Sequence, residues 1–204
     1  MNSAKENILN RIRLGKEKAN LWNKISEPKH SDFFVKSNAD LISIFKDALE
    51  KINGQLLIAN NKEELSKIIQ DLPSSIVCMD SSLQNILNES KVTFSNKIDT
   101  KTNPTGFIKC EFIIARLGSV LTSSAINSGR QINIFPEHQV VFAEKHQLVY
   151  DIKDGIQGIL KKYDKLPSMI SFATGPSRTA DIEKTLILGA HGPKMLTIIL
   201  KNFN

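Results

Sequence analysis

QLLIANNKEELSKIIQDLPSSIVCMDSSLQNILNESKVTF, residues Gln55 to Phe94, decides the fold. It opens on a short apolar run, Gln55 to Ala59, that reads as a strand. Asn61 to Asp71 follows with Leu65, Ile68 and Ile69 at helical spacing. Ser75 to Met79 is a second apolar strand, Ser82 to Glu89 a second helix, and Lys91 to Phe94 a third strand. Strands that alternate with helices at this spacing require crossovers, and crossovers give a parallel sheet covered on both faces.

The same reading extends in both directions. Upstream, residues 33–52 are expected to be helical, with Leu41, Ile42, Phe45 and Leu49 on one side and Gly54 as a stop. Downstream, Asn96 to Gly106 is polar, contains Pro104, and reads as a loop. Glu111–Ala115 and Ser119–Thr122 read as strands joined by a hairpin-like turn at Arg116-Leu117-Gly118. Further strands are expected at 139–143, 169–173 and 196–200, and a helix at 152–162. The fold class is therefore α/β, three layers with a largely parallel sheet.

Ser3-Ala4-Lys5-Glu6 is a capping box, and Ile8, Leu9 and Ile12 follow at helical spacing. This helix is expected to run towards Trp22 and to end before Pro28. The chain thus divides into an N-terminal helical extension, 1–30, and an α/β domain, 31–204. The net charge of +6 over 204 residues divides at the same place. Residues 1–30 hold seven bases and three acids, and the other 174 hold 20 bases and 18 acids. A nearly neutral body with 6% aromatic residues argues against a nucleic-acid-binding surface. No run reaches the roughly 18 apolar residues of a membrane span. Met1 to Asn20 is too polar for a secretory leader, so Cys78 and Cys110 are expected to be buried thiols in a cytoplasmic protein. No CxxC is present, and no spacing favours a metal site.

Chemistry concentrates near the C-terminus. Gly175-Pro176-Ser177-Arg178-Thr179 follows a strand and offers hydroxyls, a guanidinium and backbone N–H groups, the ingredients of an anion pocket at a sheet's carboxyl edge. Arg178 paired with nearby Asp181 or Glu183 is the alternative. Gly189-Ala190-His191-Gly192 marks a tight turn that aims an imidazole either at a cleft, as acid or base, or at a structural partner. Glu111 interrupts an apolar run, and a buried carboxylate there needs a partner or a raised pKa. Arg130 either pairs with Glu111 or binds an anion, and His138 stands at a strand entrance. Catalytic candidates are thus Glu111, His138 and His191. Ligand-binding candidates are Arg130, Gly175, Ser177, Arg178 and Thr179. His30 and His146 read as surface residues. Neither GxGxxG nor GxxxxGK[ST] occurs.

GPSRTADIEKTLILGAHGPKMLTIIL, Gly175 to Leu200, resembles the closing signature of the LUD-domain family, which contains the lactate-utilisation protein C type. KCEFIIA at Lys109–Ala115, GSVLTSSAINSGRQINIFPEHQVVF at Gly118–Phe142 and ILNRIR at Ile8–Arg13 are similar to further segments of that family. The resemblance implies a fold like that of the sugar-isomerase and CoA-transferase superfamily. It implies membership of a three-component system that oxidises L-lactate to pyruvate. Iron–sulfur clusters would sit in the partner subunits and none in this chain. A small anionic ligand and an oligomeric state are both compatible with it. Many proteins that it resembles have an acid in the segment where this sequence has Ala115-Arg116-Leu117-Gly118-Ser119, so Arg116 reverses the local charge expected from the resemblance.

Overall fold

The computed structural model describes residues 4–19, 39–73, 75–99, 105–128, 131–179, 187–189 and 191–204. Two compact units divide the chain, Met1–Asn38 and Ala39–Asn204. In the first, helix α1 spans Ala4–Ala19. Ser3 of the expected capping box, the residues leading to Trp22, and His30 lie outside the described residues.

In the second unit a six-stranded, wholly parallel sheet forms the centre. Its strands are β1 (Gln55–Ala59), β2 (Ile76–Val77), β3 (Phe94–Ser95), β4 (Thr105–Lys109), β7 (His138–Glu144) and β12 (Met195–Lys201), in the order β1-β12-β7-β4-β2-β3. Alternation along each strand sends one set of side chains to each face. Phe107, Val140, Phe142 and Ile199 pack under α3 (Lys62–Gln70) and α4 (Ser81–Glu89), which contribute Leu65, Ile69, Leu83 and Leu87. Ile108, Val141, Ile198 and Leu200 face the other way, towards Phe45 and Leu49 of α2 (Leu41–Lys51).

That second face also carries a smaller sheet, ordered β8-β5-β6-β9. It comprises β5 (Phe112–Ile114), β6 (Ser119–Ser123), β8 (Leu148–Val149) and β9 (Ile170–Ala173). The expected hairpin is present as antiparallel β5 and β6, joined by a 3-10 turn over Ala115–Leu117. Gly118 closes the turn at φ 62°, and a Cβ there would stand 2.5 Å from the Leu49 backbone nitrogen of α2. Only glycine serves both demands. Helix α5 (Ile152–Lys162) covers this sheet; Gly158 lies close to the Phe112 ring, where a Cβ would come within 2.2 Å.

Three expectations change. Helix α2 begins at Leu41 because the Asp40 carboxylate caps the N–H groups of Ile42 and Ser43; residues 33–38 lie outside the described set. The loop expected over 96–106 gives way at Thr105 to the central strand β4. Gly106 disguised it: glycine is uncommon inside a strand, but a Cβ here would meet Pro136 Cγ at 2.7 Å and Ile132 O at 3.1 Å. The strand expected at 169–173 forms as β9 but joins the smaller sheet, pairing antiparallel with β6.

Candidate functional site

In an open parallel sheet, ligands bind outside the carboxyl ends of strands whose connections leave in opposite directions. Here those strands are β2 and β4. The chain leaves β2 through α4 towards the β3 edge, and leaves β4 towards β7. A cavity of about 330 Å³ opens at this point, lined by Asp80, Lys109, Cys110, Phe142, Lys162 and Tyr163 among others.

Glu111 lies beneath it, in the connection from β4 to β5, 2% exposed. Its carboxylate takes a Lys162 ammonium at 2.7 Å, the Tyr163 hydroxyl at 2.8 Å and the Ser123 hydroxyl at 2.6 Å. Burial alone raises a carboxyl pKa, but here the Lys162, Ser123 and Tyr163 hydrogen bonds outweigh it and hold Glu111 below the usual range. Lys162 is raised for the matching reason: burial lowers it, and the Glu111 carboxylate more than offsets that. Glu111 is thus a fixed anion, locked by the last turn of α5.

Asp80, which follows β2, caps α4 by accepting from the N–H groups of Ser82 and Leu83. Burial again works against its charge. Hydrogen bonds from Ser82 and Leu83, and Lys109 at 3.5 Å, leave its pKa lowered. An ammonium has three donors, so Lys109 and Lys162 each keep donors beyond the one directed at a carboxylate. Cys110 is buried, its Sγ directed at the Phe142 carbonyl at 3.7 Å. Burial pushes its thiol up to about 12, so it is protonated and a poor nucleophile. Cys78 is likewise buried and pushed up to about 12.

The other candidates lie elsewhere. His138 is the first residue of β7, at the amino edge of the sheet, and lines a different cavity. The turn at 175–177 does not sit at the carboxyl edge. The Ser177 N–H donates to Pro193 O at 2.8 Å, and the Lys194 N–H donates to Glu137 O at 2.7 Å, just before β12 and β7. Arg178 and Thr179 form strand β10, paired with β11 (Ile187–Leu188), and Arg178 donates to the Ile52 carbonyl at the end of α2. A Cβ on Gly175 would lie 2.7 Å from that same carbonyl oxygen. His191 is exposed in the neighbouring turn. Arg130, Asp181 and Glu183 lie outside the described residues. Arg116 pairs with Asp151, the N-cap of α5, at 2.7 Å.

Lys109, Lys162, Tyr163 and Asp80 were not singled out in the sequence; His146, read there as a surface residue, is exposed and borders the carboxyl-edge cavity beside Glu144. Among the described residues no group of three or more His, Cys, Asp or Glu could hold a metal ion. No described helix is long and apolar enough to cross a membrane.

The LUD domain family model matches residues 95–200, more than half of the chain. The chain belongs to the LUD domain family. The matched span runs from β3 to the last strand, so it contains Glu111, Lys109, Lys162 and His138. A lactate utilization protein C of Oceanobacillus iheyensis is 25% identical over 174 residues, 84% of this chain and 74% of that protein. A lactate utilization protein C of Shouchella clausii is 33% identical over 90 residues, 43% of this chain and 39% of its own length. A crystal structure of a DUF162 family protein from Deinococcus radiodurans matches with a TM-score of 0.62 at 15% identity. It covers 83% of this chain and all of that one, a likeness of fold.

Proposed function

We propose that this LUD domain is the cluster-free component of a cytoplasmic lactate-utilising system. In this reading it works beside iron–sulfur subunits that oxidise L-lactate to pyruvate, and its carboxyl-edge cavity holds a small carboxylate. Proteins named lactate utilization protein C among its relatives support the pathway. One observation supports the ligand class: two lysines, Lys109 and Lys162, flank a cavity of about 330 Å³, each with donors beyond its buried carboxylate partner. The basic N-terminal segment, with Ile8, Leu9 and Ile12 on α1, is proposed as the element that docks the partner subunit.

Calorimetric titration with L-lactate, pyruvate and phosphate tests the ligand. A carboxylate should bind, and Lys109→Ala and Lys162→Ala should each weaken it about tenfold. Loss in Arg178→Ala instead would move the anion to the Gly175–Thr179 turn. Reconstitution tests the system: omitting this chain, or deleting residues 1–38, should abolish L-lactate-dependent dye reduction by the iron–sulfur subunits. An unchanged rate would refute membership.

A second reading is favoured by the Glu111 cluster. A buried carboxylate held by Lys162, Tyr163 and Ser123 beside a cavity suits an enzyme that turns over a small carboxylate or phosphate, as isomerases, transferases and cyclo-ligases do. In that case Tyr163, which lines the cavity and whose pKa is raised by burial and by the Glu111 carboxylate, is the proton donor.

A further inference from the structure

The amino edge of the parallel sheet holds a second cavity, of about 370 Å³, to which the reading above assigns nothing. Its polar lining is Gln55, Asp71, His138 and Thr197; the rest is apolar, and neither lysine nor arginine lines it. Its chemistry follows from one chain of hydrogen bonds. A glutamine Oε1 only accepts, so the Thr197 hydroxyl spends its single proton on Gln55 Oε1, at 3.2 Å. With the Thr197 proton placed on Gln55, His138 Nε2, 2.8 Å from the same hydroxyl oxygen, is the donor. The ring is then the Nε2–H tautomer, and Nδ1 carries a free lone pair. Nδ1 is buried and has no hydrogen-bond partner among the described residues, although the residue is only 8% exposed. Buried polar atoms without a partner are uncommon in folded proteins and ask for an explanation. Thr105, opposite His138 in register on β4, also leaves its hydroxyl unpartnered among the described residues.

The surroundings select the donor. Burial lowers the His138 pKa, which keeps the ring neutral and accepting. Asp71 is the C-cap of α3, so a carboxylate and the negative end of a helix dipole border the cavity together. We propose that the amino-edge cavity binds a small protonated amine, with an N–H of the ligand donating to His138 Nδ1 and its charge facing Asp71. This site is independent of the anion site at the opposite edge.

Nitrogen-15 NMR of the imidazoles, with ethylammonium chloride as the probe, tests this on the intact chain. The free protein should show His138 protonated at Nε2 and bare at Nδ1. Ethylammonium should shift Nδ1 and leave Nε2 in place, whereas propionate should shift neither. His138→Gln should weaken ethylammonium binding about tenfold, and Asp71→Asn a few-fold. Thr197→Val, which keeps the shape and removes the hydroxyl, should release the tautomer preference. An Nδ1–H tautomer in the free protein would overturn the proposal. So would an Nδ1 resonance indifferent to ethylammonium at tens of millimolar, or an equal response to ethanol, which donates without charge.

Discussion

The two edges of the parallel sheet are built from the same strands and have opposite chemistry. At the carboxyl edge, Lys109 and Lys162 stand over buried carboxylates, and every oxygen of Glu111 has a donor. At the amino edge the His138 ring pairs through Nε2 with the Thr197 hydroxyl, and its Nδ1 has no partner among the described residues. The carboxyl edge is stabilised by charge pairs, so disturbing it should cost folding free energy. The amino edge carries little of that, so disturbing it should mainly alter binding.

Glu111→Ala should break this comparison most visibly. It strands the Lys162 ammonium and removes the acceptor of Tyr163 and Ser123. Removing a buried charged partner costs about 3–5 kcal/mol; since Lys162 is 52% exposed and finds water, about 3 kcal/mol is expected by chemical denaturation. A loss below about 1 kcal/mol would mean that the cluster is not rigid.

Asp80→Ala should cost less, about 1–2 kcal/mol, by removing the cap of α4. It should also free Lys109 and tighten a bound carboxylate, a gain that calorimetry would detect. If carboxylate affinity falls instead, Asp80 orients Lys109 rather than competing for it. Cys110→Ala should leave carboxylate affinity within about two-fold, because a buried thiol near pKa 12 offers no thiolate to the ligand.

How much of this contrast was legible in the sequence depends on what sets each feature. Periodicity revealed the parallel sheet, because Leu65, Ile69, Leu83 and Leu87 repeat with the helical period and the intervening strands are continuously apolar. Strand β4 escaped because Gly106 answers to Pro136, thirty residues away, and not to its neighbours. Glu111 was legible as an acid in an apolar run. Its partners were not, since Lys162 and Tyr163 lie about fifty positions downstream at the end of α5, and nothing local marks them. The Gly175–Leu200 signature marked the family. It drew attention to Arg178, whose guanidinium donates to a helix-terminal carbonyl.

The smallest expected effect separates the edges by pH. His138 has a folded pKa below its ordinary 6.5, so below pH 6.5 the unfolded chain binds a proton that the folded chain does not. Stability therefore falls as pH drops through 6.5, and the fall ends once the folded state also protonates. Glu111 and Asp80 have folded pKa values below 4.5 and 3.8, so the stability they contribute is present above those values and lost only as pH falls beneath them. Denaturant midpoints should thus decline in two steps, a shallow one starting near pH 6.5 and a steeper one below about pH 4.5. His138→Gln should erase the first and spare the second. If the first step survives that substitution, the buried ring at the amino edge is not what takes up the proton.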